Sequence, residues 1–323
     1  MIKPVILQNN LQCQKRNEVL DFAKGIGIVL MVAGHACIEG GAFVHWLHDF
    51  IYTFHMPFFL IVSGYLFKYE SLNAPYGYIR RKFKNLYLKF VIYNVFFIFI
   101  HNWLWHIGLI NSVHPFFTQN WTEYTWMDIG SRILSTLFSF GDPEWIGLAM
   151  WYLKDLFLVA VAFILLMRID CIRRNSVSIP IGSLVLATFT PGVTIPYIEV
   201  CPTRIFCGLF LYSIGFILKD KDIKINVLIF LSFFAVLVAS PFCFNYIELR
   251  FPYGIFEKTR FLLIGIIGFV WFMGTSNYLY SNSQACIKSV ILSINKYAIP
   301  IITLHVFAFK VSSFALLGGG KFL

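Results

Sequence analysis

Charged residues are scarce in this chain of 323 residues: only 13% are Asp, Glu, Lys or Arg, about half of the roughly 25% that is usual in soluble domains. Hydrophobic residues make up 58%, and the mean hydropathy is +0.72. A soluble chain of this size cannot bury so much apolar surface, so the composition excludes a soluble globular protein. It predicts an all-α, polytopic integral membrane protein.

Acidic residues are the scarcer charge, with 16 Asp and Glu against 26 Lys and Arg and a net charge of +10. A basic balance can indicate nucleic-acid binding. Here, however, lysine and arginine are concentrated in every second segment between apolar runs, which is the positive-inside pattern of membrane proteins. With the N-terminus in the cytoplasm, 17 basic residues fall in cytoplasmic segments and six in outer ones. We therefore predict a cytoplasmic N-terminus and no nucleic-acid partner.

Cysteine pairs and metal-binding spacings are also missing. The seven cysteines are scattered, without a C-x-x-C pair or a cysteine–histidine spacing typical of zinc. No metal and no permanently bound cofactor are therefore expected. The first 20 residues contain no continuous apolar run, so no cleavable signal peptide is expected either.

Long apolar segments, by contrast, recur along the chain, and a membrane span needs about 20 mainly apolar residues. We predict nine or ten spans in a single domain that covers residues 1–323. In the longest outer loop, apolar residues at helical spacing between Trp126 and Phe138 predict a short helix. The candidate spans are 22–38, 50–67, 88–108, 148–167, 176–194, 203–218, 225–244, 260–278 and 290–309.

The first candidate span carries ionisable residues, which are costly in lipid and normally face a cavity or a partner. Lys24 and His35 are 11 residues apart, so in a helix they share one face and lie about 16 Å apart along the axis. This places Lys24, close to Asp21, at the cytoplasmic edge and His35 deeper in the membrane. Snorkelling to the interface explains Lys24 equally well. For His35, a functional role is favoured over a structural hydrogen bond.

The second candidate span runs in the opposite direction and contains His55 at a depth similar to that of His35. Two histidines at one depth on consecutive spans predict a shared polar cavity. Ser63 and Tyr65 would lie deeper, toward the cytoplasm. The pair Ser63 and Gly64 is better explained by close helix packing than by nucleophilic chemistry.

Basic residues are concentrated again just inside the predicted cytoplasmic face. Such a cluster often fixes topology or touches anionic lipid. It would also suit a multiply phosphorylated ligand, since arginine pairs bidentately with phosphate. The cluster consists of Arg80, Arg81, Lys82 and Lys84.

The fourth candidate span opens near the outer face with Trp151, Lys154 and Asp155, and the two charged residues could neutralise each other or neighbouring charges. His101 and His106 lie near an outer helix end, where a place in the membrane interface suffices to explain them.

Taken together, these motifs resemble those of the integral-membrane acyltransferases of acyltransferase family 3. Five matches follow one another in the family's order over nearly the whole chain. They are Lys24 to His35, the stretch FHMPFFLIVSGYLF at 54–67, the basic cluster, the Trp-Tyr-Leu at 151–153 and the stretch YAIPIITLHVF at 297–307.

The resemblance implies transfer of an acyl group, most often acetyl from acetyl-CoA as co-substrate, to a hydroxyl outside the cytoplasm. The implied acceptors are surface polysaccharides or lipid-linked glycans such as O-antigens and exopolysaccharides. The implied location is the bacterial inner membrane, with membrane lipid as a further partner. The chain resembles the stand-alone members, without a fused hydrolase-like domain, and the family usually has ten spans.

The resemblance also implies that His35 is essential, and histidine suits a general base because it titrates nearest to neutrality. We predict that His35 is this base and that His55 orients it or binds the acyl group. An acyl-histidine relay through His35 stays open as a variant. Where the family often has arginine, Lys24 keeps the charge but loses the bidentate fork.

The remaining predicted roles concern the acyl donor. Lys24 and the cluster Arg80, Arg81, Lys82 and Lys84 would hold the phosphates of CoA at the cytoplasmic mouth. Five further residues are predicted to support the site: Asp21, Ser63, Tyr65, Trp151 and Lys154.

Two other classes of protein compete with an enzyme. One is a proton-coupled transporter of a small solute or glycan precursor, with the histidines as a proton relay. Its expected inverted repeats with paired broken helices are not apparent in the sequence. The other is a membrane scaffold with structural histidines, which does not explain why polar residues concentrate in the first two spans.

Overall fold

The structure is a computed structural model, and it describes residues 17–36, 41–110, 122–190, 195, 198–219, 221, 226–243 and 254–317. Every regular element in these residues is helical, which confirms the all-α class. The α-helices are α1 (Glu18–Ala36), α2 (Ala42–Tyr65), α3 (Pro75–Lys82), α4 (Leu88–His106), α5 (Trp126–Phe138), α6 (Trp151–Leu166), α7 (Asp170–Arg174), α8 (Ser178–Phe189), α9 (Pro202–Leu218), α10 (Val227–Cys243), α11 (Ile255–Asn282), α12 (Ala285–Lys296) and α13 (Ala298–Leu317).

Three short turns complete the described elements. Two are 3₁₀ helices, Tyr69–Leu72 and Trp145–Met150, and the second leads directly into α6. The third, Phe83–Tyr87, is a π-helical turn that joins α3 to α4. These joints make the helical segments on either side continuous, so that α3 and α4 together are long enough to cross a membrane.

Five helical segments of the described chain are long and apolar enough to be membrane spans: Glu18–Ala36, Pro75–His106, Trp145–Leu166, Ile255–Asn282 and Ala298–Leu316. Three further apolar helices, α8, α9 and α10, are shorter. Helix α4 also carries a stripe of exposed apolar side chains at helical spacing, the arrangement expected of a surface that faces lipid. The stripe consists of Ile92, Phe96, Phe99 and Trp103.

Helices α2 and α9 pack at the centre of the molecule through glycine. A Cβ atom on Gly64 would overlap the carbonyl oxygen of Tyr212, and one on Gly215 would overlap that of Ile61. Only residues without a side chain let the two backbones approach this closely. The close helix packing predicted around Gly64 is confirmed.

Polar contacts also join helix ends that the basic-residue pattern assigned to one side. At the end of α9, the Lys219 ammonium donates to the carbonyl oxygen of Phe67, just beyond α2, at 2.6 Å. At the opposite end, Lys258 near the start of α11 donates to the carbonyl oxygen of Thr190 at the end of α8, at 2.7 Å. Helices α2 and α9 therefore run in the same direction, because both end at the first contact, whereas α8 and α11 run in opposite directions, because α11 begins where α8 ends.

The candidate span 290–309 is wrong in position, because a break divides it. Helix α12 ends at Lys296 and α13 begins at Ala298. Pro300 lies in the first turn of α13, where its missing N–H is tolerated, so the sequence favours a helix start there. The described residues of α12 include none that is buried, and the long apolar helix of this region is α13.

Other boundaries agree more closely with the sequence. Helices α9 and α10 match the candidates 203–218 and 225–244 to within two residues, and the helix predicted between Trp126 and Phe138 is α5. Helix α2 begins at Ala42, earlier than the predicted 50. Helix α8 ends at Phe189, and residues 191–194 of its candidate span lie outside the described chain, as do 37 and 38 of the first.

Candidate active site

One face of α2 carries three aromatic side chains. His48, Tyr52 and His55 are separated by four and three residues, so they form a single stripe along the helix. The ring centroid of Tyr52 lies 4.1 Å from that of His48 and 4.7 Å from that of His55. Tyr52 therefore stands between the two histidines.

Two more histidines reach this stripe from α1 and α13. The His35 ring lies 5.7 Å from the Tyr52 ring and 4.9 Å from the His305 ring, measured between centroids. His55 and His305 are 2% and 6% exposed, and His35 is half-buried. We refer to His35, His48, Tyr52, His55 and His305 as the histidine cluster. His35 and His55 thus contact the same tyrosine ring, which agrees with the similar depth predicted for them.

Three histidines of the cluster use one ring nitrogen in the same way. The Nδ1 atoms of His35, His55 and His305 lie 2.8 to 3.0 Å from the carbonyl oxygen four residues earlier in their own helix. A carbonyl oxygen only accepts hydrogen bonds, so each Nδ1 carries the proton and each Nε2 of the neutral ring keeps a lone pair. Within the described residues, His35 and His55 make no second hydrogen bond.

The fourth histidine is held differently. Nδ1 of His48 lies 2.8 Å from a carboxylate oxygen of Asp49, and both side chains are partly exposed. The carboxylate orients the His48 ring, which stacks on Tyr52 with an interplanar angle of 25°. Sequence reasoning missed His48 and Tyr52, although their spacing from His55 on one helical stripe could have revealed them.

Lys24 lies toward the opposite end of α1 from His35. Its ammonium is 2.6 Å from a carboxylate oxygen of Asp21, one turn earlier in the helix. The two side chains neutralise each other, and the supporting role of Asp21 in the site stays a prediction. Because the helix rises about 1.5 Å per residue, Lys24 is about 16 Å from His35 along the axis and outside the histidine cluster.

The predicted basic cluster is placed on α3 and the π-helical turn. The charged groups of Arg81 and Lys82 lie 5.8 and 5.5 Å from the centre of the Tyr78 ring. The Tyr78 hydroxyl in turn lies 2.8 Å from that of Tyr212 in the core. Lys82 is half-buried, and the exposed members are Arg80, Arg81 and Lys84. The cluster is therefore a basic surface anchored to the core through Tyr78.

The other predicted supporting residues are spread over the fold. The Ser63 hydroxyl donates to the carbonyl oxygen of Phe59 at 2.7 Å, within α2. Tyr65 is the last residue of the same helix and is half-buried. Trp151 lies under the guanidinium of Arg204, 5.0 Å from it. These contacts do not involve the histidine cluster, and the supporting roles of the three residues stay predictions.

Lys154 is fully buried and contacts the segment just before α6 and the segment just before α9. Its ammonium donates to the carbonyl oxygens of Phe140 and Glu199 at 2.5 and 3.2 Å and to the Asp142 carboxylate at 3.1 Å. Its neighbour Asp155 instead pairs with Arg204 at 2.9 Å. Lys154 and Asp155 therefore pair with neighbouring groups and not with each other. Adjacent residues of a helix point about 100° apart, so their side chains do not face each other.

A second buried polar group surrounds Glu144, which is 4% exposed. Its carboxylate lies 3.3 Å from Nδ1 of His101, 3.1 Å from the Tyr124 hydroxyl and 3.3 Å from the Arg132 guanidinium. We refer to these four residues as the glutamate network. Burial, and to a smaller extent the negative charge of Glu144, raises the pKa of Tyr124. Its hydroxyl therefore stays protonated and donates to the carboxylate.

His101 lies near the end of α4 and its ring is buried by the protein. Its Nε2 lies 3.1 Å from the carbonyl oxygen of Thr122. Both ring nitrogens therefore face acceptors. His106, by contrast, is 64% exposed and pairs with Glu123 at 3.0 Å, as an outer helix end allows. In the described residues, no three His, Cys, Asp or Glu side chains are arranged to hold a metal ion.

Comparison with known proteins gives one family and one relative. A family model described as an acyltransferase domain matches residues 17–320. The nodulation protein NolL of Mesorhizobium japonicum is 26% identical over 183 residues, which are 54% of this chain and 42% of that protein. The chain thus spans less than half the length of this relative. No solved structure matches.

Proposed function

Because the chain belongs to acyltransferase family 3, we propose that it transfers acetyl from acetyl-CoA to a hydroxyl of a cell-surface glycan. An O-antigen or an exopolysaccharide, free or lipid-linked, is the proposed acceptor. The observation that carries this proposal is the contact of Nδ1 with a backbone carbonyl oxygen in three histidines of the cluster. Its three helix-bonded histidines leave Nε2 as a base, the group that acyl transfer to a hydroxyl requires.

In the proposed reaction, Nε2 of His35 takes the proton of the acceptor hydroxyl while the hydroxyl oxygen attacks the thioester carbonyl carbon. The carbon–sulfur bond then breaks, and the CoA thiolate takes the proton back from Nε2 of His35, which returns to its neutral form. The products are the acetylated glycan and free CoA. General base catalysis of this kind contributes about 10²–10⁴-fold to a rate.

His55 is proposed as the second catalytic residue. It faces His35 across the Tyr52 ring, and its own Nδ1 is fixed by the Ile51 carbonyl oxygen. This arrangement suits a group that orients His35 or binds the acyl group. In the alternative relay, Nε2 of His35 carries the acyl group covalently before the acceptor attacks. A labelled acyl-enzyme that forms without acceptor would distinguish the relay from the direct reaction.

The acyl donor is proposed to bind with its phosphates away from the histidine cluster. Lys24 and the basic cluster would pair with the phosphates, and the extended arm of CoA would bring the thioester toward His35. The exposed positions of Arg80, Arg81 and Lys84 support this role, since charged groups in water can meet a cytosolic ligand. Asp21 holds Lys24 in place, and the Tyr78 ring holds Arg81 and Lys82.

The topology is part of the proposal. We propose nine or ten spans in the bacterial inner membrane, with the N-terminus in the cytoplasm. The contacts from Lys219 to Phe67 and from Lys258 to Thr190 support this topology, because each joins helix ends that it assigns to the same side of the membrane. With this orientation, the basic cluster faces cytosolic acetyl-CoA and the histidine cluster lies nearer the outer acceptor.

The test is chemical analysis of surface glycans from the source strain, a strain without the gene, and the deletion strain carrying His35→Ala. Mass spectrometry should show loss of a mass of one acetyl group in the deletion, restored by the natural gene but not by the variant. Acetylation that persists in the deletion strain would contradict the enzyme assignment to this glycan. Proton-coupled solute uptake by the purified protein in liposomes would favour a transporter.

A further inference from the structure

His305 has a buried nitrogen with nothing to bind. Its Nδ1 donates to the Ile301 carbonyl oxygen at 3.0 Å, so Nε2 holds a lone pair. That Nε2 is buried and lacks a hydrogen-bond partner among the described residues, while the whole residue is only 6% exposed. A buried acceptor without a donor costs free energy and is rare in native proteins. Such an atom points to a ligand that is bound when the protein works.

The ring next to His305 has the same chemical character. His35 lies 4.9 Å away between ring centroids, at an angle of 69°, and its Nδ1 is also used by its own helix. Two neutral rings that each present only a lone pair cannot hydrogen-bond to each other. The polar atoms that satisfy both lone pairs must therefore be donors that belong to neither ring.

A metal ion is the first candidate for two adjacent lone pairs, but it needs further ligands. No group of three His, Cys, Asp or Glu side chains in the described residues can supply them. Hydroxyl groups need only one acceptor each. A ligand with two neighbouring hydroxyls would satisfy Nε2 of His35 and Nε2 of His305 together.

We propose that His305 binds a second hydroxyl of the acceptor, next to the hydroxyl that His35 deprotonates. The acceptor is then a vicinal diol, as on a sugar ring, and His305 selects which of its hydroxyls is acylated. This inference rests on the proposed acyl transfer. It adds the class of acceptor and a binding residue that determines specificity.

The experiment uses the full chain, purified in detergent, with labelled acetyl-CoA. The acceptors are two probes of the same ring size, cyclohexanol and the trans isomer of vicinal cyclohexanediol. We compare the natural protein with His305→Phe, which removes the acceptor atom, and His305→Gln, which keeps one. His45→Phe is the matched control, because His45 is an exposed histidine of α2 outside the cluster.

The natural protein should prefer the diol by about tenfold in kcat/KM, the effect of one well-placed hydrogen bond. His305→Phe should reduce this preference to about onefold, and His305→Gln should retain part of it. His45→Phe should keep the full preference. Only loss of the second hydroxyl's contact changes this ratio, since a structural defect lowers both rates together.

Two results would overturn the proposal. One is an equal rate of the natural protein with both probes, and the other is a diol preference that survives in His305→Phe. A natural protein that releases no CoA with either probe, and leaves the cell's glycans unchanged, would instead contradict the proposed function. The two failures are therefore distinguishable.

Discussion

The histidine cluster and the glutamate network are both buried polar groups, but they differ in what their polar atoms bind. In the histidine cluster, Nδ1 of three rings donates to a backbone carbonyl oxygen, and Nε2 of each ring can accept a hydrogen bond. In the glutamate network, the Glu144 carboxylate has three side-chain partners and both nitrogens of His101 are occupied. One group keeps ring nitrogens that can accept hydrogen bonds, and the polar atoms of the other already have partners within the protein.

This difference distinguishes residues that stabilise the fold from residues that are expected to take part in the reaction. A satisfied buried network stabilises one arrangement of the chain, and removing any member leaves the others unpaired. Open nitrogens instead cost stability and persist where they serve a function. We therefore expect variants of the glutamate network to change stability and variants of the histidine cluster to change acyl transfer.

The largest expected effect on stability comes from Glu144→Ala. It leaves His101 and Tyr124 buried without their carboxylate, and breaking such a buried pair costs about 3–5 kcal/mol. Thermal unfolding in detergent should show a clearly lower Tm, while acyl transfer per folded molecule is retained. The matched control is Glu123→Ala, because Glu123 makes the same kind of pair with His106 at the surface. Equal Tm values for the two variants would refute this role of the network.

Tyr52 is the next test, because its ring touches three histidines of the cluster. Aromatic pairs contribute about 0.5–1.5 kcal/mol each, so Tyr52→Ala should lose about 2–4 kcal/mol of stability and most acyl transfer. Tyr52→Phe keeps the ring and should stay within about threefold of the natural rate, a ratio of less than 1 kcal/mol. If the phenylalanine variant lost as much activity as the alanine variant, the hydroxyl rather than the ring would be needed.

A smaller effect is expected at His55. As a residue that orients His35 or binds the acyl group, it should lose about tenfold in kcat when changed to Gln, equivalent to about 1.4 kcal/mol. Steady-state kinetics with acetyl-CoA measure this value. A loss as large as that of His35→Ala would show instead that His55 is the base.

Arg132 should give the smallest effect, although it belongs to the glutamate network. Its side chain is 43% exposed, and the pair with Glu144 is 3.3 Å long, so solvent screens it. Arg132→Gln should lower stability by about 1 kcal/mol or less and leave acyl transfer unchanged. A Tm as low as that of Glu144→Ala would place Arg132 at the centre of the network.

The sequence predicted what depends on periodicity and on the cost of burying polar groups. The all-α class, the helix α5 and the position of His35 and His55 against one tyrosine follow from apolar spacing and from depth along two antiparallel spans. The stripe of His48 and Tyr52 was also readable, since their spacing from His55 is helical.

Other features depend on tertiary contacts that no local pattern contains. The carboxylate of Glu144 meets His101 only because a loop folds back on α4, so no local pattern indicates the partner of His101. The position of the break between α12 and α13 is also not defined by hydropathy, because apolar residues continue on both sides of Lys296. One polar residue hardly changes the mean hydropathy of a segment, although the helix can end there.

The most direct test of the account compares His35→Gln with His101→Gln in one assay of acetyl transfer from labelled acetyl-CoA to surface glycan, with Tm measured on the same preparations. We expect His35→Gln to lose about 10²–10⁴-fold in rate with little change in Tm. His101→Gln should keep its rate per folded molecule and lose Tm. Full acetyl transfer by a well-folded His35→Gln protein would contradict the account.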